Sequence, residues 1–209
     1  MPKKILIVDD QIISRQLFES VLLTSGHYEV AASIGTAAVA DVYCAGNEVD
    51  LVLMDVVMND GSNGLDAAER IKNSYPHIKI VIVTSMPDSS LLKKARRIGV
   101  DSFWYKEQQE MPILEVIDRT MAGESIYPDA TPVVPLGNTR NVDLTERELD
   151  VLRHLAEGLT DKEISERMNL SVAAVRYHVN NLISKTGCSS RTELAVTAVR
   201  RGITVPEMG

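Results

Sequence analysis

The sequence has few of the residues that mark secreted, metal-rich or membrane proteins. Its 209 residues include only two cysteines, Cys44 and Cys188, which lie far apart and form no metal-ligand pattern. Their scarcity predicts reduced thiols in a cytoplasmic protein, with a single disulfide as the alternative. No apolar run approaches the roughly 20 residues of a membrane span, and the short run at residues 5–8 does not match a signal peptide. These absences predict no membrane partner.

An excess of positive charge is also missing. The chain has 22 Lys+Arg and 29 Asp+Glu, a net charge of −7, which argues against a nonspecific nucleic-acid coat. Residues 1–122 hold 12 basic and 17 acidic residues, whereas residues 144–209 hold nine of each. Within residues 167–201, six basic residues accompany one acidic residue, Glu193. This local basic stretch is typical of a DNA-facing surface, so the two halves are expected to meet different partners.

The first 122 residues alternate short apolar runs with amphipathic segments. Such alternation predicts right-handed crossovers between parallel strands, and hence an α/β domain with a doubly wound, five-stranded parallel sheet. The expected strands are residues 4–8, 29–33, 51–54, 79–83 and 102–105; the expected helices are residues 12–24, 36–45, 64–74, 89–98 and 112–122.

Residues 123–143 interrupt this pattern with three prolines at positions 128, 132 and 135. We interpret the segment as a linker, semi-extended where proline dominates; a long ordered loop within one domain is the less common alternative. The expected organisation is a first domain at 1–122, the linker at 123–143 and a second domain at 144–209.

The second domain is expected to be all α. Thr145 with Glu148, and Thr160 with Glu163, form two capping-box patterns before apolar stripes. A longer helix follows Ser171, and a last one spans about residues 192–201. Four short helices with a tight turn at residues 169–170 predict a helix-turn-helix arrangement.

Polar residues stand at four of the five expected strand ends. Asp9 and Asp10 follow the first apolar run, Asp55 ends the third, and Thr84 and Lys106 follow the fourth and fifth. The carboxyl ends of parallel strands open on one edge of a sheet, so these side chains are expected to converge. Three carboxylates in one pocket repel each other unless a hard cation such as Mg²⁺ is bound. A metal-facing carboxylate can accept a phosphoryl group, with a hydroxyl and a lysine to hold the product charge.

These residues make the first 122 positions resemble the receiver domain of two-component response regulators. The motifs that carry the resemblance are Ile7-Val8-Asp9-Asp10, Met54-Asp55-Val56, Val83-Thr84-Ser85 and Tyr105-Lys106-Glu107. The resemblance implies that Asp55 is phosphorylated by a cognate sensor histidine kinase. It also implies Mg²⁺ held by Asp10, Asp55 and the backbone carbonyl of Val57, with Asp9 reaching the metal through water.

The same resemblance implies that Thr84 follows the phosphoryl group and that Phe103 is the aromatic residue that swings as the switch operates. Ordinary core packing explains Phe103 about as well. Two positions depart from the family pattern, since Asn59 replaces the usual proline after Met58 and Gly64 lies nine rather than eight residues beyond Asp55. Apolar Val57 and Met86 flank the expected site, which predicts slow hydrolysis of the acyl phosphate.

Residues 171–185 have the traits of a DNA-reading helix. Arg176, Tyr177 and Asn180 fall off its apolar face, and arginine and asparagine can pair with guanine and adenine edges in the major groove. Three further cations, Lys162, Lys185 and Arg191, suit phosphate contacts.

The second domain resembles the LuxR/NarL-type helix-turn-helix. The motifs are Leu144-Thr145-Glu146-Arg147-Glu148, Gly158-Leu159-Thr160-Asp161-Lys162-Glu163-Ile164, Ala174-Val175-Arg176-Tyr177-His178-Val179, Lys185-Thr186-Gly187-Cys188 and Arg191-Thr192-Glu193. The resemblance implies base reading by Arg176, Tyr177 and Asn180.

The sequence therefore predicts a phosphorylation-controlled regulator of transcription that binds double-stranded promoter DNA. Phosphorylation is expected either to relieve masking of the reading helix or to drive homodimerisation. An aspartyl-phosphate phosphatase is disfavoured, because Val57 stands where its second acidic group would be expected; we expect no enzyme of this kind. The remaining alternative is a protein-interaction regulator with an atypical receiver that does not bind DNA itself.

Overall fold

The structure is a computed structural model that describes residues 2–107 and 111–204. The chain divides into two compact units. The first holds the described residues up to Ser85 and Leu91–Asp129; the second holds Met86–Ser90 and the described residues from Ala130 onward. The domain boundaries expected from the sequence remain a prediction.

The first unit is a five-stranded parallel sheet in the order β2-β1-β3-β4-β5, so the predicted α/β fold is confirmed. Its elements alternate along the chain as expected. They are β1 (Lys3–Val8), α1 (Ile12–Ser25), β2 (Tyr28–Ile34), α2 (Ala40–Gly46), β3 (Leu51–Met54), α3 (Gly64–Ser74), β4 (Lys79–Thr84), α4 (Ser89–Ile98, of which this unit holds the residues from Leu91), β5 (Ser102–Tyr105) and α5 (Ile113–Met121).

The central strands are apolar throughout because both faces of the sheet are covered. Successive side chains of a strand point to opposite faces. In β1, Ile5 and Ile7 join a core that includes Phe18 of α1, whereas Leu6 and Val8 join the opposite core with Leu65 of α3. Each such side chain stabilises the fold by about 1.5–3 kcal/mol when fully buried. The two cores fix the sheet, and with it the positions of the strand ends.

Helix α2 begins at Ala40, four residues later than the sequence predicted. The reason is local competition for the backbone. The Thr36 hydroxyl accepts a hydrogen bond from the Ala38 N–H at 3.0 Å and donates to Asp60 at 2.5 Å. A threonine side chain that bonds its neighbouring backbone favours a turn over a helix.

The second unit is all α apart from a small hairpin. Its elements are β6 (Pro135–Leu136), β7 (Thr139–Arg140), a 3₁₀ turn at Asn141–Asp143, α6 (Glu146–Ala156), α7 (Asp161–Met168), α8 (Val172–Thr186) and α9 (Arg191–Arg200). The expected capping boxes are present at the start of α6 and α7. Asn169 adopts a left-handed conformation (φ 51°) at the end of α7, which makes the tight turn into α8.

The hairpin lies in the segment that the sequence predicted to be a linker, semi-extended where proline dominates. Gly137 makes its turn with φ +59°, and a Cβ there would lie 2.0 Å from the Thr186 carbonyl oxygen. The Asn138 N–H donates to that same oxygen at 2.8 Å. Buried Asn141 accepts from the Val134 N–H at 2.7 Å and donates to the Pro132 carbonyl at 2.9 Å. Side-chain hydrogen bonds of this kind order a proline-rich segment, and its composition does not reveal them.

Within the described residues, no helix is both long enough and apolar enough to cross a membrane.

Candidate functional site

Three carboxylates meet where β1 and β3 end. These strands are neighbours in the sheet although they are not consecutive in sequence, and such a switch point is where open α/β sheets place their sites. The Asp55 N–H donates to the Val8 carbonyl at 2.8 Å, which brings the two strand ends together. Carboxylate oxygens of Asp9, Asp10 and Asp55 all lie within 4.8 Å of one another. The structure therefore brings together the acidic residues singled out in the sequence.

Lys106 lies between two of these carboxylates. Its ammonium donates to Asp9 Oδ2 at 2.7 Å and to Asp55 Oδ2 at 2.7 Å. The backbone N–H of Lys106 donates to the Thr84 carbonyl at 2.9 Å, so the ends of β4 and β5 are also adjacent. Thr84 itself is buried at the last position of β4. All five residues predicted at strand ends thus lie along one edge of the sheet.

The electrostatics of the site favour a bound cation. Burial raises the pKa of Asp55 to about 6; Lys106 opposes this shift and the Asp9 charge adds to it. For Lys106, burial alone would lower the pKa, but the Asp55 and Asp9 carboxylates outweigh burial and raise it. Asp9 is fully buried and Asp55 is 5% exposed, so little water screens their repulsion. One lysine compensates only part of three clustered carboxylates.

The donor set is the kind that Mg²⁺ prefers, because its ligands are hard carboxylate oxygens. Asp10 accepts a hydrogen bond from the Asn59 N–H at 2.8 Å through Oδ2, and Asp55 accepts from the Val56 N–H at 2.6 Å through Oδ1. These bonds hold the carboxylates in place without using all of their lone pairs. Val57 pairs with Asn63 across the loop that follows Asp55. It remains a prediction that the Val57 backbone carbonyl is a metal ligand. It also remains a prediction that Val57 and Met86 slow hydrolysis of the acyl phosphate.

The loop after Asp55 accommodates its extra residue without moving the glycine away. The Gly64 N–H donates to the Val56 carbonyl at 2.8 Å, and a Cβ on Gly64 would lie 1.7 Å from the Asp55 carbonyl oxygen. Between Asn59 and Asn63, Asp60 accepts bonds from the Ser62 N–H and hydroxyl at 2.9 and 2.6 Å. Gly64 therefore lies close to the end of β3, beside Asp55, despite the extra residue in the loop.

Phe103 is buried in β5, and a residue that sequence reasoning missed covers it. The ring of Tyr127 stacks on Phe103 with centroids 6.3 Å apart, and its hydroxyl donates to the Val100 carbonyl at 2.8 Å. The Phe103 N–H donates to the Ile126 carbonyl at 2.8 Å, so this segment pairs with the edge of the sheet. The apolar pair Ile126-Tyr127 was the available signal, but the neighbouring prolines and glycine suggested a linker.

In the second unit, the predicted base-reading residues lie on the outer side of α8. Arg176, Tyr177 and Asn180 are exposed, whereas Val175 and Val179 are buried in the core. Tyr177 is 64% exposed.

The three predicted phosphate-binding cations differ in their contacts. Lys162 is largely exposed, with Glu166 at 3.9 Å. Lys185 is paired at 2.8 Å with Glu148, a buried residue of α6. Arg191 donates to the Asp161 carboxylate and to the Leu159 carbonyl, each at 2.8 Å. Sequence reasoning named Glu148 as part of a capping box and Asp161 within a motif, but it predicted neither ion pair, because an acidic residue in the first turn of a helix is commonplace.

Fold and site together define an α/β receiver followed by a helix-turn-helix unit, and comparisons with known proteins agree. The family model of the response regulator receiver domain matches residues 5–118. The model of bacterial regulatory proteins of the luxR family matches residues 142–198. These are families of regulators rather than enzymes.

Similar proteins extend over nearly the whole chain. The transcriptional regulatory protein LnrK of Bacillus subtilis is 31% identical over 97% of this chain and 99% of its own length. The response regulator protein VraR of Staphylococcus saprophyticus is also 31% identical, with the same coverage. The chain belongs to the two-component response regulators of the LuxR type, which are DNA-binding regulators of transcription.

Solved structures share the fold at lower identity. RcsB dimers bound to two parallel DNAs align with a TM-score of 0.58 at 16% identity, covering 94% of this chain and 98% of that one. RcsB from Salmonella enterica serovar Typhimurium, bound to promoter rprA with a phosphomimetic, aligns with a TM-score of 0.55 at 16% identity, covering 93% and 97%.

Proposed function

We propose that Asp55 is the phosphoacceptor of this response regulator and that a sensor histidine kinase is the donor. One Asp55 carboxylate oxygen attacks phosphorus, the bond from phosphorus to the kinase histidine breaks, and the histidine nitrogen keeps the electron pair. The product is an acyl phosphate on Asp55. Bound Mg²⁺, held by Asp10, Asp55 and the Val57 carbonyl, with Asp9 through water, would neutralise phosphoryl oxygens during this transfer.

The remaining residues of the site hold the new charge. Lys106, already 2.7 Å from Asp55, would move its hydrogen bond to a phosphoryl oxygen. Thr84, at the adjacent strand end, would donate its hydroxyl to another phosphoryl oxygen. Phe103 would then change its packing against Tyr127 as β4 and β5 adjust. The observation that carries this proposal is the convergence of three carboxylates, one lysine and one threonine on a single sheet edge.

For the DNA-binding unit, we propose that Arg176, Tyr177 and Asn180 read base edges and that Lys162, Lys185 and Arg191 contact phosphates. The support is the exposure of the first three on α8 beside buried Val175 and Val179. In the major groove, arginine can donate to guanine O6 and N7, whereas asparagine can donate to adenine N7 and accept from its N6 amino group. Phosphorylation would favour a homodimer on paired half-sites of promoter DNA.

The test compares the wild-type chain with Asp55→Asn after incubation with acetyl phosphate and Mg²⁺, using intact mass. We expect the wild type alone to gain one phosphoryl group. Chelation of Mg²⁺ with EDTA should abolish this gain. A gain in both proteins would place the phosphoacceptor elsewhere, and no gain in either would contradict the proposal.

A further inference from the structure

A single carboxylate joins two cations of the proposed DNA-binding surface. Asp161 opens α7 and lies between Arg176 of α8 and Arg191 of α9. Its Oδ1 accepts from Arg191 Nη1 at 2.8 Å, and its Oδ2 accepts from Arg176 Nε at 3.2 Å. Arg191 is fixed further by the bond from its Nη2 to the Leu159 carbonyl at 2.8 Å. Asp161 thus connects three helices on one surface.

The stability of the fold does not explain the pairing of Asp161 with Arg176. The Arg176 side chain is 69% exposed, and exposed ion pairs contribute little to folding because water and salt screen them. An acidic residue in the first turn of a helix is favourable by itself, but that effect needs no arginine from another helix. The contacts of Asp161 act instead on the charge and orientation of the DNA-facing side chains.

We infer that Asp161 is a specificity-determining residue for DNA recognition, a role that rests on the proposed reading function of Arg176. It acts in two ways. First, its charge offsets one of two arginine charges, which weakens attraction to phosphates of any sequence. Second, it binds the Nε edge of Arg176, so Nη1 and Nη2 can still face the O6 and N7 acceptors of a guanine.

The two effects have opposite consequences on different DNA. On random duplex, the carboxylate only competes with phosphates for the arginines. On a site with guanine at the right place, it holds the guanidinium in a fixed orientation and reduces the conformational freedom lost on binding. Asp161 therefore lowers nonspecific affinity more than specific affinity. Asp161 thus raises the ratio of specific to nonspecific affinity.

The test measures binding of the phosphorylated full chain to two duplexes: one of random sequence, and one enriched from a random pool by the wild type. We expect Asp161→Asn to bind random duplex about 1.5-fold to fivefold more tightly at low salt, the range that loss of one exposed ion pair allows. Its log–log salt slope should steepen by about 0.9, since Arg176 becomes available to one more phosphate. Affinity for the enriched duplex should change less, so discrimination falls.

Glu166→Gln is the matched control. It also removes one negative charge from α7 beside one proposed phosphate-binding cation, since Glu166 lies 3.9 Å from Lys162, but among the described residues Glu166 makes no ion pair with either arginine. If both variants raise affinity for the two duplexes equally, net charge alone is responsible and the inference is overturned. It is equally overturned if Asp161→Asn lowers thermal stability yet binds both duplexes as the wild type does.

Arg176→Ala separates this inference from the proposed reading face. If that variant discriminates between the duplexes as well as the wild type, the assignment of Arg176 is wrong and the inference falls with it. If it loses discrimination while Asp161→Asn keeps it, only the inference fails. In the Asp161→Asn/Arg176→Ala double variant, we expect most of the gain on random duplex to disappear.

Discussion

At the residue scale, Gly64 shows that the geometry of a site can depend on the absence of a side chain. Its φ is not positive, so conformation alone does not demand glycine there. The demand is steric, because a Cβ would lie 1.7 Å from the Asp55 carbonyl oxygen and 3.0 Å from the Met54 side chain. Backbone cannot yield as a flexible side chain can. A methyl group at Gly64 would therefore push against the strand end that carries Asp55, the proposed phosphoacceptor.

We expect Gly64→Ala to destabilise the first unit by about 3 kcal/mol, the upper part of the range for overpacked sites, and to slow phosphorylation of Asp55. Urea unfolding and the rate of mass gain with acetyl phosphate measure the two effects. Gly46→Ala is the matched control, since a Cβ there meets nothing within 4 Å and its φ is not positive either. That control should be neutral or slightly stabilising. Equal stability of the two variants would contradict the steric argument.

At the element scale, α6 and α7 begin with the same capping box but in different surroundings. In α6, the carboxylate of Glu148 accepts from the Thr145 N–H at 2.9 Å and from the Lys185 ammonium at 2.8 Å, and the residue is 4% exposed. In α7, Glu163 makes the equivalent bond to Thr160 at 2.7 Å but is exposed. Glu148 thus caps α6 and also ties it to the end of α8.

We expect Glu148→Ala to cost about 1–3 kcal/mol of unfolding free energy, because the Thr145 backbone and Lys185 both lose their acceptor. Glu163→Ala should cost less, since water can replace its carboxylate. Burial alone would raise the pKa of Glu148, but the bonds from Lys185 and Thr145 lower it below 4.5. Its stabilisation is therefore present above that pH and is lost as pH falls through the folded pKa. If chemical denaturation at pH 7 shows equal losses of unfolding free energy for Glu148→Ala and Glu163→Ala, burial of Glu148 adds nothing to stability.

The elements themselves were largely predictable, because their signals are local. The runs at 51–54 and 102–105 became β3 and β5 with the predicted bounds, and α3 and α4 also match. The convergence of Asp9, Asp55 and Lys106 followed from strand ends sharing one edge. Side-chain contacts that no period, motif or shared sheet edge encodes were not predictable. The cover of Phe103 by Tyr127 and the pairing of Arg176 with Asp161 are of this kind.

At the scale of the whole molecule, the net charge differs between the two halves of the chain. Residues 1–122 carry five more acidic than basic residues, whereas residues 144–209 are balanced. Because residues 144–209 carry no net charge, DNA binding by this half depends on a few local cations. Of these, Lys185 and Arg191 are already paired with carboxylates. One copy of the chain can therefore neutralise few phosphates, and we expect phosphorylation to increase affinity by bringing two copies onto one duplex.

The salt dependence of DNA binding tests this expectation. Each neutralised phosphate adds about 0.9 to the slope of log affinity against log salt concentration, so two copies should show about twice the slope of one. We expect the slope of the wild-type chain on promoter DNA to double after treatment with acetyl phosphate and Mg²⁺. Asp55→Asn, treated identically, should keep the original slope. If affinity rises while the slope stays constant, phosphorylation exposes the reading helix of a single copy instead. Such unmasking increases the fraction of molecules able to bind DNA, but it does not change the number of phosphates that each bound copy contacts.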